Sequence, residues 1–529
     1  MRLPAALAPL EGPVFRGLWF AWLAANMTMW MNDVAAAWLM TTLTSSPVLV
    51  ALVQTASTLP VFLLGLPSGA LADIVDRRRY FASTQLWVSV VALLIAGLAL
   101  AGLLSAELLL LLTFLNGIGL AMRWPVFSAI VPEVVTRPQL PAALALNGIS
   151  MNLSRVVGPA VAGALIAGAG PAWVFALNAL LAGAAFTLIV RWRAEARTSA
   201  LPGERFVGAM RVGLQHVRQS PRMRVIVARV FLFFLQASAL LALLPLVARG
   251  LHGGGAAFYT LLLAAMGAGG IVAALLFPRW RQRFDRDQFL TWGTLVHAAM
   301  TAVVVLVPEA WLAVPAIFTA GMAWISTANT LAMSAQLALP NWVRARGMSM
   351  YQMSLMGGTA FGAMLYGKVA ALTSVSTAVV AAAAAGCVLL LFVRRWSVEG
   401  ADADFTPAPT RTVPEVAIDI GPEEGPVMVT VEYQIDPARA ADFQAVMQLT
   451  RAARLRQGAL SWGLFRDTSR PGRYVEYFLD ENWLEHQRRL ERFTAADAEL
   501  RQRRLEFHLG PEPPGLHRYV AGDGPAPRL

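Results

Sequence analysis

Residues 59–79 read LPVFLLGLPSGALADIVDRRR, and they carry the strongest local signal in the chain. The segment begins almost entirely apolar and ends with two aspartates and three consecutive arginines. A long apolar run that stops at a cluster of arginines is typical of a transmembrane helix that ends at the cytoplasmic face of a bilayer. Residues 47–72 are therefore predicted to cross a membrane, and the arginines to begin a cytoplasmic loop.

The composition of the whole chain also indicates a membrane protein. Of its 529 residues, 57% are hydrophobic and 14% are charged, and the mean hydropathy is +0.56. An ordinary soluble domain carries about a quarter charged residues. The formal net charge is +11, but the arginines lie between apolar runs instead of forming one stripe, so we expect no nucleic-acid partner. The single cysteine, Cys387, leaves no disulfide framework and no thiolate metal cluster. We also expect no removable signal peptide.

Apolar runs long enough to cross a bilayer fall into two groups of six on either side of a polar loop at 192–221. We therefore predict an all-α membrane domain over 1–397, with twelve transmembrane helices in two six-helix halves, about 15–191 and 222–395. The predicted spans lie near 17–42, 47–72, 80–104, 107–131, 142–169, 171–191, 223–248, 255–278, 288–307, 311–338, 348–371 and 373–393.

Basic residues are distributed very unevenly between alternate loops. One set of loops holds most of the arginines, and the opposite set holds Arg249 and little else. Because Lys and Arg near span ends are retained on the cytoplasmic side, both termini and the loop at 192–221 are predicted to be cytoplasmic. The chain is expected to be a multi-pass protein of the plasma (inner) membrane. An amphipathic helix on the inner leaflet is predicted within 204–225.

A weak internal repeat supports the two halves. The segment GPAVAGALIAG at 158–168 is similar to GGTAFGAMLYG at 357–367, and their glycines align. Small residues at equivalent places let helix backbones approach closely. Chance similarity between two glycine-rich spans is the alternative.

The loop after the second span combines four residues that could form a cytoplasmic gate: Gly69, Asp73, Arg77 and Arg78. Gly69 would let the second span pack tightly on the eleventh. Asp73 could accept from Arg77 and lie near the N-terminus of the facing helix, where a carboxylate is favoured. A solvated cytoplasmic loop would explain the arginines, but not Gly69 and Asp73 one helical turn apart.

Three charged residues are predicted within the membrane: Asp33, Arg123 and Arg155. Intramembrane charges are expensive, so each is a functional candidate. Asp33 is predicted near mid-depth and is the candidate for proton coupling, while an arginine could bind an anionic substrate. A permanent ion pair between Asp33 and Arg123 or Arg155 is the alternative for all three.

These segments resemble a known family. The loop at 69–79, WMNDVAAAWLMTTLTSSP at 30–47 and the segment at 123–165 resemble the major facilitator superfamily, in the branch of enterobactin exporters and transmembrane secretion effectors. The resemblance covers about the whole chain and implies transport by alternating access. The loop departs from the family pattern at Ile74, where a basic residue is usual, and at Asp76, where glycine is usual.

The fifth predicted span also matches a superfamily motif. Gly158, Pro159 and Gly163 resemble the Gly-Pro motif of superfamily members that export a substrate in exchange for protons, although Ala164 stands where a second glycine is expected. The resemblance implies an antiporter. A packing role for a kinked helix is the alternative.

A soluble domain is predicted at 427–529, after a linker at 398–426 that is rich in Pro, Gly, Asp and Glu. Alternating strands and amphipathic helices occur in the order βαββα, with a hairpin around Arg470-Pro471-Gly472, and this order indicates a ferredoxin-like fold. The domain resembles antibiotic biosynthesis monooxygenases, dimeric α/β barrels, and its matching residues are Glu476, Trp483 and His486. A structural, dimerising or sensing role is favoured over catalysis.

The sequence as a whole predicts a secondary transporter, not an enzyme. We expect proton-coupled export of a hydrophobic or siderophore-like small molecule, with the lipid bilayer, the substrate and protons as partners. Self-association through the C-terminal domain is a further expectation. No phosphate-binding loop, metal-binding helix or nucleotide motif occurs, so no cofactor is expected. Import by the same fold, or a C-terminal domain that is an active oxygenase or ligand sensor, remains the alternative.

Overall fold

Long helices occupy most of the chain up to residue 399. The computed structural model describes residues 5–136, 139–192, 206–251, 254–280, 283–307, 309–340, 342–399, 404–406, 408 and 417–522. The first six long helices are α1 (Pro13–Leu43), α2 (Pro47–Ile74), α3 (Arg77–Leu100), α4 (Ala106–Val134), α5 (Leu140–Gly168) and α6 (Pro171–Arg191). After the short α7 (Phe206–Gln219) come α8 (Pro221–Leu246), α9 (Ala256–Trp280), α10 (Arg286–Leu306), α11 (Ala310–Leu337), α12 (Arg344–Leu372) and α13 (Val375–Val393).

Several of these helices start where the sequence supplies a start signal. Pro47 and Pro171 occupy the first turns of α2 and α6, where proline costs no hydrogen bond because those N–H groups have no partner inside a helix. Asp76 caps α3 by accepting from the backbone N–H of Arg79, and Asp285 forms a capping box at the start of α10. Short loops with strong caps therefore join neighbouring helices.

Within the described residues, eleven helices are long and apolar enough to cross a membrane. The first helix, α1, is 31 residues long but is not one of the eleven, since polar residues such as Asn26, Asn32 and Asp33 lower its mean hydropathy. The expectation of a mostly helical membrane protein is confirmed, while the number twelve stays a prediction. Large apolar side chains such as Leu180 and Leu275 are more than 70% exposed, as lipid-facing residues are.

The chain divides into two compact units. The membrane unit comprises Met1–Gly203, Ile226–Met333 and Ser349–Glu399. The second unit comprises Gly400–Leu529 and two segments from the membrane domain's connections, Glu204–Val225 and Ser334–Met348.

In the second unit, a four-stranded antiparallel sheet lies beside three helices. The strands are β1 (Val427–Gln434), β2 (Ser461–Arg466), β3 (Arg473–Asp480) and β4 (Gly515–Val520), in the order β2-β3-β1-β4, and the helices are α14 (Ala440–Arg456), α15 (Trp483–Glu491) and α16 (Ala495–Leu505). Alternate residues of β1 and β3 are buried, which places one face of the sheet in the core. The hairpin between β2 and β3 is confirmed, and Gly472 adopts a φ of 81° there, a conformation that favours glycine.

Two details of this domain differ from the predicted βαββα order. A fourth strand, β4, pairs with β1, and Val427 lies opposite Val520. Its GLHRYV sequence is mostly exposed and lacks the alternation that marks the other strands. The last helix of the predicted order is in fact two helices, α15 and α16, because Thr494 starts a new one with a capping box.

Candidate functional site

Asp33 lies where the two halves of the membrane unit meet. Its carboxylate accepts a hydrogen bond of 2.9 Å from the Ser57 hydroxyl of α2. A cavity beside it is lined by Gln54 of α2 and by Leu241 and Ala242 of α8, so both halves contribute to its walls. The cavity volume is about 10 Å³, room for about one water molecule. The structure therefore presents Asp33 in a closed interface.

Arg123 is fully buried inside the first half. It donates to the carbonyl oxygen of Ala25 and, at 3.4 Å, to the side-chain oxygen of Asn26. Its guanidinium carbon lies 5.2 Å from the ring centre of Trp22, a cation–π contact. No ion pair joins Arg123 to Asp33 in the described structure. These contacts indicate that Arg123 ties α4 to α1.

Arg155 lies between indole rings from the two halves. Its guanidinium carbon is 5.4 Å from the ring centre of Trp30 in α1 and 5.6 Å from that of Trp324 in α11. Among the described ion pairs, none involves Arg155. The three intramembrane charges thus have three different kinds of contact. Among the described contacts, none is the permanent ion pair with Asp33 that was the alternative.

The Gly-Pro motif faces two neighbouring helices. A side chain at Gly158 would collide with Trp30, and one at Gly163 would overlap Thr260 of α9, so α5 approaches a helix of each half closely. The glycines of α12 that align with this motif in the sequence repeat do not face the corresponding halves. Gly357 faces Phe62 of α2, in the other half, whereas Gly362 faces Leu235 of α8, in its own half.

Arg249, the isolated arginine of the opposite set of loops, also connects the halves. It donates to the carbonyl oxygen of Thr41, and its guanidinium carbon lies 5.6 Å from the ring centre of Trp38. The Trp38 ring stacks on that of Tyr259, with 5.7 Å between the centres. The C-terminal end of α1 is thereby bound to the region where α8 ends and α9 begins.

In the C-terminal domain, Glu476 is a fully buried carboxylate that accepts hydrogen bonds from three side chains. It accepts from the Tyr433 hydroxyl at 3.0 Å, from Arg454 Nε at 3.0 Å and from Trp462 Nε1 at 3.1 Å. Burial opposes its charge, but Arg454 and Arg504 outweigh burial and lower the pKa of Glu476 to about 2. A carboxylate so firmly ionised and fully hydrogen-bonded is suited to holding the sheet against α14, not to accepting protons.

His486 belongs to a second buried network. Its Nδ1 lies 2.8 Å from Asp480, and its Nε2 accepts from Arg518 at 3.3 Å, so the ring is neutral with its proton on Nδ1. Burial lowers the pKa of His486 despite the hydrogen bond to Asp480. Trp483 stacks on the imidazole with ring centres 5.3 Å apart. Both nitrogens are engaged within the protein, and Glu476 and His486 thus belong to separate networks.

Comparison with known proteins agrees with this architecture. Residues 4–525 match the family of transmembrane secretion effectors of the major facilitator superfamily. The chain belongs to this family. The family expectation is thereby confirmed, while the resemblance to enterobactin exporters and to monooxygenases stays a prediction.

The curated relatives match only parts of this chain. It is 21% identical to the staphyloferrin A transporter of Staphylococcus aureus over 251 residues, which are 47% of this chain and 63% of that protein. It is 32% identical over 140 residues to MdtD of Salmonella typhi, a protein named for multidrug resistance, and the match covers 26% of this chain and 29% of that protein. The chain thus spans less than two thirds of the length of either relative.

Solved structures share the fold of this chain's membrane domain. The nucleoside transporter NupG superposes with a TM-score of 0.57 at 13% identity, covering 72% of this chain and 98% of that one. A bacterial homologue of the human lysosomal transporter Spinster gives a TM-score of 0.56 at 16% identity, covering 72% and 95%. At these identities the likeness shows the fold alone. Family and fold agree that the membrane domain has the architecture of the major facilitator superfamily.

The predicted cytoplasmic gate is only partly within the described structure. Gly69 and Asp73 belong to the C-terminal end of α2, and the structure describes their place in this helix but not their surroundings. Arg77 and Arg78 form the first turn of α3. Asp76, noted in the sequence only as a departure from the family pattern, is the residue that caps this helix.

Sequence reasoning missed several partners of the candidate residues. Ser57, Trp30 and Trp324 carry no signal of their own, since serine and tryptophan are ordinary residues in a membrane helix. A partly buried ion pair of 2.8 Å between Arg229 of α8 and Asp287 of α10 was also missed. Two opposite charges near the ends of neighbouring spans could have suggested it.

Proposed function

We propose that this transporter is a proton-driven exporter of a hydrophobic or siderophore-like small molecule, and that Asp33 carries the proton. The position of Asp33 is the observation that carries the proposal. It is an intramembrane carboxylate at the junction of the two halves, bonded to Ser57, and no basic group pairs with it among the described residues.

The physical reason is the cost of an unpaired charge in a membrane. A carboxylate without a counter-ion is expensive while the halves enclose it and inexpensive when a cavity opens to water. Proton binding therefore favours the closed arrangement, and proton release favours an open one. Such a group links the protonation state to the rocking of two bundles around a central site, which is what a proton-coupled secondary transporter requires.

The small volume beside Asp33 supports alternating access. With room for about one water, this cavity cannot hold a siderophore-sized molecule, so α1 and α2 must separate from α8 to admit cargo. Two observations favour export as the direction of transport. They are the Gly-Pro motif in α5 and the multidrug resistance for which MdtD is named. The staphyloferrin A transporter supports a siderophore-like cargo.

Transport from proteoliposomes tests the proposal. The wild-type chain should move ethidium or 2,3-dihydroxybenzoate faster when a pH gradient is imposed, and Asp33→Asn should lose that dependence. Glu107→Gln, which removes an exposed carboxylate at the start of α4, is the matched control and should retain it. An Asp33→Asn variant that responds to the gradient like the wild type would refute the role of Asp33, and acceleration only by the opposite gradient would indicate import.

For the C-terminal domain we propose a structural role, in which it holds two connections of the membrane domain. Gln215 of α7 donates to the carbonyl oxygen of Ala459 at 2.7 Å, and Arg211 pairs with Glu481 at 2.5 Å. Trp342, from the connection between α11 and α12, lies 5.5 Å from the His216 ring by ring centres. The described part of the amphipathic helix is thus packed against the C-terminal domain on one side, and membrane contact by its other side stays a prediction.

A pair of arginine substitutions on α7 tests this role. Val212 is 2% exposed and contacts the Gly458 region, whereas Leu214 is 48% exposed. Val212→Arg should speed backbone hydrogen exchange throughout α7, because a charge cannot be buried there without a partner. Leu214→Arg should leave exchange near wild type. Equal exchange in both variants would count against the role of this packing.

Self-association through the C-terminal domain stays a prediction. The sheet face that points away from the helices carries Phe465, which is 62% exposed and stacks on Tyr477, and the half-buried Leu479. Light scattering of the purified chain in detergent would show whether it is a dimer.

A further inference from the structure

Three buried hydrogen-bond donors without acceptors converge between the two halves of the membrane unit. They are the indole nitrogens of Trp30 and Trp324 and the Nε of Arg155, and none has a hydrogen-bond partner among the described residues. Since the guanidinium carbon lies within 5.6 Å of both ring centres, the three form a single group, here named the Arg155 cluster. Helices α1, α5 and α11 supply one member each.

This arrangement is costly as it stands. A buried donor without an acceptor destabilises the structure, and the cost is higher for a charged group. Intramembrane arginines usually pair with an acidic group or a backbone carbonyl. The cation–π contacts stabilise the positive charge of Arg155, but they leave all three N–H groups without an oxygen to bond.

Two other arginines of the membrane unit also lie over indole rings, and each has an oxygen acceptor for part of its guanidinium, although the Nε of Arg123 has none among the described residues. Arg123 donates to Ala25 and Asn26, and Arg249 donates to Thr41, although each also lies over an indole ring. Arg155 therefore differs from these two arginines in that no part of its guanidinium has a hydrogen-bond acceptor within the described structure. Its surroundings supply donors and aromatic faces.

We propose that the Arg155 cluster binds an anionic oxygen-bearing group of the cargo, such as a carboxylate or a catecholate. This inference rests on the proposed transport function and names its substrate class. The anion would accept from Arg155 and from the two indole N–H groups, and the rings of Trp30 and Trp324 would contact a planar acid or phenol.

The position of the Arg155 cluster gives binding a mechanical consequence. Trp30 and Arg155 belong to the first half and Trp324 to the second, so one anion that bonds to all three holds the halves together. Trp30 also lies three positions before Asp33 on α1, which places the two on the same side of that helix. A proton on Asp33 would remove a negative charge near the bound anion, so the two sites are coupled through charge.

Equilibrium dialysis with the purified full-length chain tests the proposal. The probes are 2,3-dihydroxybenzoate and its uncharged analogue 2,3-dihydroxybenzamide. The wild type should bind the acid at least about tenfold more tightly than the amide, because hydrogen bonds to charged groups are the stronger kind. Arg155→Gln should abolish that preference, and Arg155→Lys, which keeps the charge, should restore part of it.

Two further variants separate the hydrogen bonds from packing and from general damage. Trp324→Phe retains an aromatic ring but lacks the N–H, and it should weaken binding of the acid about threefold to tenfold. Arg249→Gln also removes an arginine that lies over an indole between the halves, and it should leave the affinity for the acid unchanged.

The outcomes separate this inference from the proposed function. If the wild type binds the acid no better than the amide, or if Arg155→Gln binds the acid like the wild type, the inference is overturned. In either case, gradient-driven movement of the cation ethidium through wild-type proteoliposomes would show that the chain is nevertheless a proton-coupled transporter.

Discussion

Replacing Glu476 with glutamine should destabilise the C-terminal domain severely. The substitution keeps the shape of the side chain but removes its charge and places an amide where two donors converge. Glu476 is 0% exposed, and Arg454, 9% exposed, loses the carboxylate that its Nε bonds at 3.0 Å. A buried guanidinium is then left without a counter-ion.

Two independent routes give the size of the effect. The pKa of Glu476 lies at about 2 instead of its ordinary 4.5, and at about 1.4 kcal/mol for each pKa unit the difference amounts to about 3 kcal/mol. Removal of one member of a buried ion pair costs about 3–5 kcal/mol. We therefore expect Glu476→Gln to lower the free energy of unfolding of the domain by about 3 kcal/mol or more.

Hydrogen exchange of the β1 and β3 amides in the full-length chain measures this free energy directly. The matched control is Glu432→Gln on β1, which breaks a partly exposed ion pair of 2.7 Å with Arg473 and should cost less than about 1 kcal/mol. The stability of the domain should also depend on pH. Since the pKa of Glu476 is lower in the folded state, its stabilisation is present above pH 4.5 and is lost as the pH falls toward 2. A Glu476→Gln domain as stable as the Glu432→Gln domain would refute the reasoning.

Three other changes have defined outcomes. Burial lowers the pKa of His216 to about 4, so packing of α7 should be complete above pH 6.5 and should weaken as the pH falls toward 4. Hydrogen exchange of the α7 amides measures this packing, and His216→Gln should remove the pH dependence. Gly163→Ala should slow ethidium transport because its methyl group overlaps Thr260, and adding Thr260→Gly should restore the rate; failure of the second change to help would argue against this contact. Asp73→Ala should slow transport while leaving membrane insertion intact, and normal transport would argue against the predicted gate.

Much of the fold was predictable because the signals are local. Eleven of the predicted spans have counterparts among the membrane-spanning helices, since a bilayer selects apolar length directly. Strands β1, β2 and β3 were likewise visible in the alternation of apolar residues or in their flanking turn. Strand β4 was not, because it lies at the sheet edge with mostly exposed residues. Helix α1, also a predicted span, is not among the eleven because its polar residues lower its mean hydropathy.

The candidate site shows the same division. The sequence alone identified Asp33, Arg123 and Arg155 as charges inside apolar runs, but it could not tell which of them share a partner. The fold decided that Arg123 bonds to α1, that Asp33 bonds to Ser57, and that Arg155 lies between Trp30 and Trp324. In the C-terminal domain it likewise placed Glu476 and His486 in separate networks.

Hydropathy and strand alternation determined the membrane-spanning helices and most of the strands, because each is a property of neighbouring residues and of the solvent they face. The family resemblance came from local motifs such as the loop at 69–79. Partners far apart along the chain, such as Arg155 and Trp324, were decided only when the helices packed. Which side chains meet depends on how whole helices rotate and approach, and many distant residues set that rotation jointly.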